Sequence, residues 1–242
     1  ETVMAKMRHP EVIAPVKLAV SFKAVLRPYP EKGVSWLSFL HSLRFGMCLA
    51  DDMGLGKTVQ VLALLHLLKY RGEKGASLLV IPASLLANWA NEILKFAPDI
   101  MFYTAHPAEN AFPGVETKEA PELDKLDLVI TTYSMVQKYE WLQAYDWKYV
   151  ILDEAQAIKN PGTKQTRAVK KLKSVNRIAM TGTPVENRLS DLWSLFDFIN
   201  PGLLGSSQEF GKFTKNLAKD PEGYARLRKV ISPYILRRLK TD

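Results

Sequence analysis

Cysteine is nearly absent from this chain of 242 residues, in which Cys48 is the only one. A single cysteine excludes an internal disulfide and a cysteine-based metal site, and such sparse usage is typical of a reducing compartment. The four histidines, His9, His41, His66 and His106, are scattered without the spacing of metal ligands. We therefore expect neither a disulfide framework nor a structural zinc centre.

Long apolar runs are also lacking, and none reaches the ~20 residues that a membrane-spanning helix needs. The first residues do not have the pattern of a secretory signal peptide. We expect no membrane partner, and a location in the cytoplasm, with the nucleoid if the protein is bacterial, or in the nucleus if it is eukaryotic. Because it runs from Glu1 to Asp242, we expect the chain to be a fragment of a longer protein.

Positive charge is in excess, since 33 lysines and arginines face 25 acids and give a net charge of +8. This balance favours an anionic partner. Residues 159–177 contain basic side chains and no acid, and Lys164, Arg167 and Lys171 would share one face of a helix. Two interpretations stay open for this segment, a contact with a polyanion and an ordinary solvated surface.

Continuous apolar runs alternate with helix-forming segments along the chain. Such runs are typical of strands buried on both faces of a parallel sheet. We predict a doubly wound α/β fold with a mostly parallel sheet, in which loops at the carboxyl ends of the strands form the site. Ser84 is expected to cap a helix that carries Leu85, Trp89 and Ile93 on one stripe. The predicted strands are 46–50, 77–81, 100–104, 127–131, 149–152 and 177–181.

The segment MCLADDMGLGKT has the order of a strand, a glycine-containing loop and Lys-Thr ahead of a helix. Gly54 and Gly56 allow the backbone to curl so that successive amides point to one spot, where the helix N-terminus adds its positive dipole end. Lys57 would reach the outer phosphates of a nucleotide, and the Thr58 hydroxyl would bind Mg²⁺. Asp51 stands where the usual loop has its first glycine, so a coincidental turn stays open for this loop taken alone.

A second acidic segment completes the chemistry that a phosphate loop needs. Asp153 and Glu154 directly follow an apolar run, which would deliver them to the end of a strand. A carboxylate there can hold Mg²⁺, and a second can polarise the attacking water. The alternative is a pair of solvated acids. Thr181 and Thr183 follow another strand, and their hydroxyls can hydrogen-bond these acids. Together these segments predict nucleotide hydrolysis.

These motifs together resemble the first RecA-like lobe of helicase superfamily 2, and within it the Swi/Snf-type DNA translocases. The resemblance covers about residues 26–240 and explains why Asp51 stands in the phosphate loop. It implies the α/β fold of a P-loop NTPase, with a RecA-like, doubly wound sheet. It rests on residues 49–58 (motif I), 79–89 (motif Ia), 129–133 (motif Ib), 153–156 (motif II), 179–188 (motif III) and 234–240, which resemble the exit toward a second lobe.

The resemblance implies three segments along the chain. Residues 1–25 form a lead-in, residues 26–200 form the N-terminal ATP-binding lobe, and residues 201–242 form a helical extension toward the second lobe. The implied cofactors are ATP and Mg²⁺. The implied partners are double-stranded DNA and the second RecA-like lobe of the same full-length chain.

The resemblance also assigns roles to individual residues. Lys57 would bind the β- and γ-phosphates, Thr58 and Asp153 would hold Mg²⁺, and Glu154 would orient or deprotonate the attacking water. The expected nucleotide contacts are Arg27, Tyr29, Asp52, Met53, Gly54, Leu55, Gly56, Lys57 and Thr58. Gln156, which stands where many members have histidine, would couple the nucleotide state to the DNA grip together with Thr181 and Thr183. The expected nucleic-acid backbone contacts are Pro82, Ser84, Thr131, Tyr133, Lys159 and Asn160.

The family's adenine-sensing segment is matched with one departure, since Pro30 stands where the family has glutamine. A glutamine amide can donate and accept hydrogen bonds toward adenine, whereas the proline ring cannot. Arg27 and Tyr29 can still pack near the base. This segment therefore does not predict selectivity for adenine.

The resemblance implies the ATP-binding N-terminal lobe of an ATP-dependent translocase on double-stranded DNA. One alternative is an RNA helicase, or a translocase associated with RNA polymerase, from the same superfamily. Another is a DNA-binding or docking lobe with impaired nucleotide use, which only Pro30 favours. Because the family's arginine finger lies in the second lobe, we expect this chain alone to be a nearly inactive DNA-dependent ATPase.

Overall fold

A computed structural model describes residue 22 and residues 28–50, 56–107, 119–182 and 189–236 of the chain, without the side chains of 28–33 and 218. Within these ranges, seven strands and eight α-helices follow one another. The strands are β1 (Met47–Leu49), β2 (Ser77–Ile81), β3 (Phe102–Ala105), β4 (Leu128–Thr132), β5 (Trp147–Leu152), β6 (Ser174–Met180) and β7 (Ile235–Leu236). The helices are α1 (Pro28–Ser42), α2 (Lys57–Tyr70), α3 (Leu86–Phe96), α4 (Glu140–Ala144), α5 (Lys164–Lys171), α6 (Leu189–Ile199), α7 (Ser207–Asn216) and α8 (Pro221–Ile231).

The seven strands form one sheet in the order β3-β4-β2-β5-β6-β1-β7. Every pairing between the described strands is parallel. The central strands β2 and β4 are buried along their whole length, as their continuous apolar runs predict. The structure therefore confirms the predicted doubly wound parallel sheet.

The helices next to the sheet differ in how much of their surface is buried. Helix α2 is buried continuously from Gln60 to Leu68, so it lies inside the fold. Helix α3 buries one stripe, formed by Leu86, Trp89 and Ile93. No helix in the described ranges is long and apolar enough to cross a membrane.

The prediction that Ser84 caps α3 is wrong. A 3₁₀ turn, Ala83–Leu85, follows β2, and α3 begins only at Leu86 with no side-chain hydrogen bond at its cap. Ser84 lies in the middle of this turn and is exposed. The extra turn moves the helix start by one residue, from Leu85 to Leu86, and it is Leu86 rather than Leu85 that is buried in the stripe.

The segment after residue 200 returns to the sheet. Helices α7 and α8 are followed by β7, which pairs with β1 in parallel through Cys48 opposite Ile235. The Ala50 amide donates to the Leu236 carbonyl at 2.8 Å, and the rings of Phe45 and Tyr234 meet edge to face. The proposed extension therefore contributes β7, the edge strand on the side of β1 away from β6.

A reciprocal pair of hydrogen bonds fixes the end of α6 to the start of β1. The Gly46 amide donates to Asn200 Oδ1 at 2.9 Å, and Asn200 Nδ2 donates to the Gly46 carbonyl at 3.1 Å. A Cβ atom at Gly46 would lie 2.1 Å from the carbonyl oxygen of Ile199. Only glycine therefore allows this close approach of two backbones.

We predict that Gly46→Ala destabilises the chain by about 2 kcal/mol or more, because the backbone carbonyl of Ile199 must move. Gly211→Ala is the matched control, since a Cβ atom there meets nothing within 4 Å. We expect the control to stabilise α7 by about 0.5–1 kcal/mol. Urea denaturation measures both free energies of unfolding. Equal stability of the Gly46→Ala variant and the unchanged chain would contradict the prediction.

Candidate functional site

The carboxyl ends of β5, β6 and β1 lie side by side at one edge of the sheet. Leu152 is opposite Ala179 across β5 and β6, and Met180 is opposite Leu49 across β6 and β1. The next residue in each of the first two strands is polar, Asp153 and Thr181 respectively. The structure thus brings the acidic segment, the first threonine and the start of α2 to the same edge.

Several residues that are predicted to contact the nucleotide lie wholly or partly outside the described residues. The backbone of Tyr29 and Pro30 lies in α1, whereas their side chains are outside the described residues. Six further residues lie outside the described residues with both backbone and side chain: Arg27, Asp52, Met53, Gly54, Leu55 and Thr183. The roles predicted for these residues stay predictions.

The start of α2 has the form expected of an anion-binding helix end. Gly56 occupies the cap position with φ 84° and ψ 30°, a left-handed conformation that favours glycine. Lys57 and Thr58 occupy the first turn, which contains no acid, and both are partly exposed. The amides of a helix N-terminus and the positive end of the helix dipole would favour a phosphate group here.

Asp153 is held by three donors from three parts of the chain. Trp89 Nε1 donates to Asp153 Oδ2 at 2.8 Å, and the Glu154 amide donates to Oδ1 at 2.9 Å. The Tyr133 hydroxyl donates to the Asp153 backbone carbonyl at 2.7 Å. These contacts fix the position of the carboxylate at the end of β5.

Burial raises the pKa of Asp153, although hydrogen bonds from Trp89 and Glu154 and the positive charge of Lys57 act in the opposite direction. A cation beside the carboxylate would favour its ionised form further.

Among the described residues, no cluster of three or more His, Cys, Asp or Glu side chains could hold a metal ion. One carboxylate and one hydroxyl fit Mg²⁺, which prefers oxygen ligands and completes its shell with water and phosphate oxygens.

A chain of side-chain hydrogen bonds joins the ends of β5 and β6. Gln156 Nε2 donates to Glu154 Oε2 at 2.5 Å, and Thr181 Oγ1 donates to Gln156 Oε1 at 3.2 Å. Glu154 itself has φ 50° and ψ 53°, a left-handed conformation that is rare outside glycine. Thr181 and Glu154 are therefore connected through Gln156, as a coupling role would require.

Two residues of α3 belong to this site, although the sequence places Trp89 only in the helix stripe and in motif Ia and assigns no role to Glu92. Trp89 donates to Asp153, and Glu92 lies one helical turn further along α3. Burial raises the pKa of Glu92, Lys95 opposes this shift, and the charge of Asp153 adds to it. The spacing of three residues between Trp89 and Glu92 was the available signal, because it places both side chains on one face.

The residues predicted to contact nucleic acid divide into exposed and enclosed groups. Ser84, Lys159 and Asn160 are exposed, and Pro82 is partly exposed. Thr131 is fully buried in β4.

The enclosed side chains bond inside the protein. The Thr131 hydroxyl donates to the Ala105 carbonyl at 2.9 Å. Tyr133 is 6% exposed, and its hydroxyl is directed at Asp153. These two side chains therefore support the lobe in this structure, and their contact with nucleic acid stays a prediction.

The basic segment is only partly an open surface. Lys170 pairs with Asp197 at 2.9 Å and lies over the Trp193 ring. Arg177 donates to the carbonyls of Lys170, Leu172 and Phe198, and its guanidinium stacks on the ring of Phe198.

These two cations stabilise the packing of α5 and α6 onto β6. The exposed cations of the segment are Lys159, Lys164, Arg167, Lys171 and Lys173. The predicted shared face of Lys164, Arg167 and Lys171 on α5 is exposed.

The chain is similar to proteins of one family along most of its length. Residues 29–242 match the SNF2-related domain family. YwqA of Bacillus subtilis (strain 168), whose name places it among ATP-dependent helicases/translocases, is 42% identical over 100% of this chain and 26% of its own length. The human SWI/SNF-related matrix-associated actin-dependent regulator of chromatin subfamily A member 1 is 38% identical over 90% of this chain and 21% of its own length.

A solved structure shares the fold. The SWI2/SNF2 ATPase core of Sulfolobus solfataricus in complex with dsDNA superposes with a TM-score of 0.85 and is 46% identical. The match covers 94% of this chain and 47% of that core. The chain therefore spans about half of the solved core and about a quarter of YwqA.

We predict that the left-handed backbone at Glu154 makes Glu154→Gly more stable than Glu154→Ala by about 1 kcal/mol, because only glycine adopts this conformation without strain. The same comparison at Gln165 in α5 is the control, where alanine should be the more stable by about 1 kcal/mol. Thermal and urea unfolding measure the four variants. If the alanine variant at position 154 is at least as stable as the glycine variant, the backbone at Glu154 is not strained.

Proposed function

Since the chain belongs to the SNF2-related family, on the match over residues 29–242, we propose that it is the ATP-binding lobe of a Swi/Snf-type translocase on double-stranded DNA. The observation that carries this proposal is the meeting of Lys57, Asp153 and Thr181 at one edge of the sheet. A helix N-terminus, a partly buried carboxylate and a hydroxyl in this arrangement suit a nucleoside triphosphate.

Each side chain at this edge has a distinct proposed role. Lys57 contacts the β- and γ-phosphates, and Thr58 with Asp153 would hold Mg²⁺. The metal would neutralise charge that develops on the phosphate oxygens. Glu154 would orient the attacking water and accept its proton, while Gln156 donates to its Oε2.

The proposed polyanion is duplex DNA. The solved Sulfolobus core, 46% identical to this chain, was determined in complex with dsDNA. The exposed positions of this chain, Ser84, Lys159 and Asn160, can contact a phosphate backbone without reading bases. Duplex RNA is the competing substrate and serves as the comparison in binding experiments.

We predict that calorimetry detects Mg-ATP binding to this chain and that Lys57→Ala weakens it by at least about tenfold, because a charge-assisted contact to phosphate is lost. Lys164→Ala is the matched control, since that exposed lysine lies on α5 and should leave the affinity unchanged. A folded chain that binds no Mg-ATP, or binds it equally well without Lys57, would contradict the assignment.

The same titration with GTP tests the departure at Pro30. If Pro30→Gln raises the ratio of ATP to GTP affinity, the missing amide is what limits adenine recognition. An equal ratio in both proteins would show that other groups recognise the base.

We predict that this chain alone hydrolyses ATP very slowly, with or without duplex DNA. The proposed arginine finger belongs to the second lobe, and such an arginine is worth roughly 10³–10⁵ in rate. Steady-state phosphate release measures the turnover. Robust DNA-stimulated turnover by these 242 residues would show that the chain contains a complete active site.

A further inference from the structure

Two aromatic side chains hold Asp153 from two separate segments. Trp89 in α3 donates to the carboxylate at 2.8 Å, and Tyr133 after β4 donates to the backbone carbonyl at 2.7 Å. Trp89 is 1% exposed and Tyr133 is 6% exposed, so both donors are buried, whereas Asp153 itself is partly exposed. A buried donor to an ionisable carboxylate is strong and directional.

The acceptor of the Trp89 indole differs in kind from the acceptors of the Trp147 and Trp193 indoles. Trp147 Nε1 donates to the Leu142 carbonyl at 2.8 Å, and Trp193 Nε1 donates to the Gly205 carbonyl at 3.1 Å. Both acceptors are backbone groups that any fold must satisfy. Trp89 instead bonds the side chain that is the proposed magnesium ligand.

Both aromatic residues also adjoin exposed surface. Trp89 directly follows Ala87 and Asn88, which are exposed, as is Ser84 in the preceding turn. Tyr133 directly precedes Ser134, which is exposed. The segments around Trp89 and Tyr133 thus each combine exposed residues with an aromatic side chain that is hydrogen-bonded to Asp153.

We infer that Trp89 and Tyr133 are positioning residues that link the surface formed by the exposed residues Ser84, Ala87, Asn88 and Ser134 to the orientation of Asp153. This inference rests on the proposed function, because it identifies that surface as the nucleic-acid contact. A strand bound there shifts the start of α3 or the turn after β4, and the ring transmits the shift to the carboxylate. By reciprocity, nucleotide bound at Asp153 then changes the affinity for DNA by the same factor.

The indole signals of a chain labelled with ¹⁵N-tryptophan test the link directly. The chain has five tryptophans, and Trp89→Phe and Trp147→Phe assign two of the signals. We expect the Trp89 signal to move when Mg-ADP is added and also when duplex DNA is added. Trp147, at the opposite end of β5 from Asp153, should move with neither. A Trp89 signal that ignores DNA while DNA binds would overturn the inference.

A binding cycle measures the strength of the link. The affinity for Mg-ATP is measured with and without duplex DNA, and we expect a change of at least about fivefold in the unchanged chain. Trp89→Phe should reduce this factor to nearly one, whereas Trp147→Phe, which also loses a buried indole donor, should retain it. An unchanged factor in Trp89→Phe rejects the link.

Tyr133→Phe provides a second variant that removes only one hydroxyl and keeps the ring. It should also lower the factor, even if Trp89→Phe does not fold. A folded chain that binds no Mg-ATP would reject the proposed function itself. A chain that binds both ligands without any coupling would reject only this inference.

Discussion

The parallel register of β5, β6 and β1 is the constraint on which the rest of the site depends. Main-chain hydrogen bonds set Leu152 opposite Ala179 and Met180 opposite Leu49, so the three strands end within one residue of the same level. Asp153 and Thr181 are the next residues in two of these strands, and their distance from the start of α2 follows from the sheet spacing. A one-residue slip would turn the buried faces of these strands outward and separate the polar residues.

The sequence could predict this edge because its signals are local. Continuous apolar runs indicate buried parallel strands, and the residue after each run must lie at a carboxyl end. The order of the strands is not local, and neither is the bond from Trp89 to Asp153, which joins residues 64 positions apart. Helical spacing could show that Trp89 is buried in α3, but not which acceptor its indole would meet. The error at Ser84 has the same origin, since residue type predicts a cap but not the 3₁₀ turn that moved the helix start.

The basic segment contains cations of two kinds, those that bond inside the protein and those that are exposed. Arg177 lies in β6 and bonds three backbone carbonyls from α6 and the end of α5, so it satisfies acceptors that would otherwise be buried without donors. Lys170 is neutralised by Asp197. The remaining cations are exposed and can contact a polyanion at little desolvation cost. Contact with α6 distinguishes the enclosed cations from the exposed ones, and the α6 residues Asp197 and Phe198 are distant in sequence from the cations that they contact.

Gln156 gives the connection between Thr181 and Glu154 a fixed direction. The connection needs one group that donates to Glu154 and accepts from Thr181, and an amide supplies both at any pH. A neutral histidine, the residue that many resembling proteins have here, would also supply one donor and one acceptor. Once protonated, however, it would carry two donors and could no longer accept from the threonine. With glutamine in this position, the middle group of the connection does not change its protonation, so its hydrogen bonds depend on the relative positions of the ends of β5 and β6.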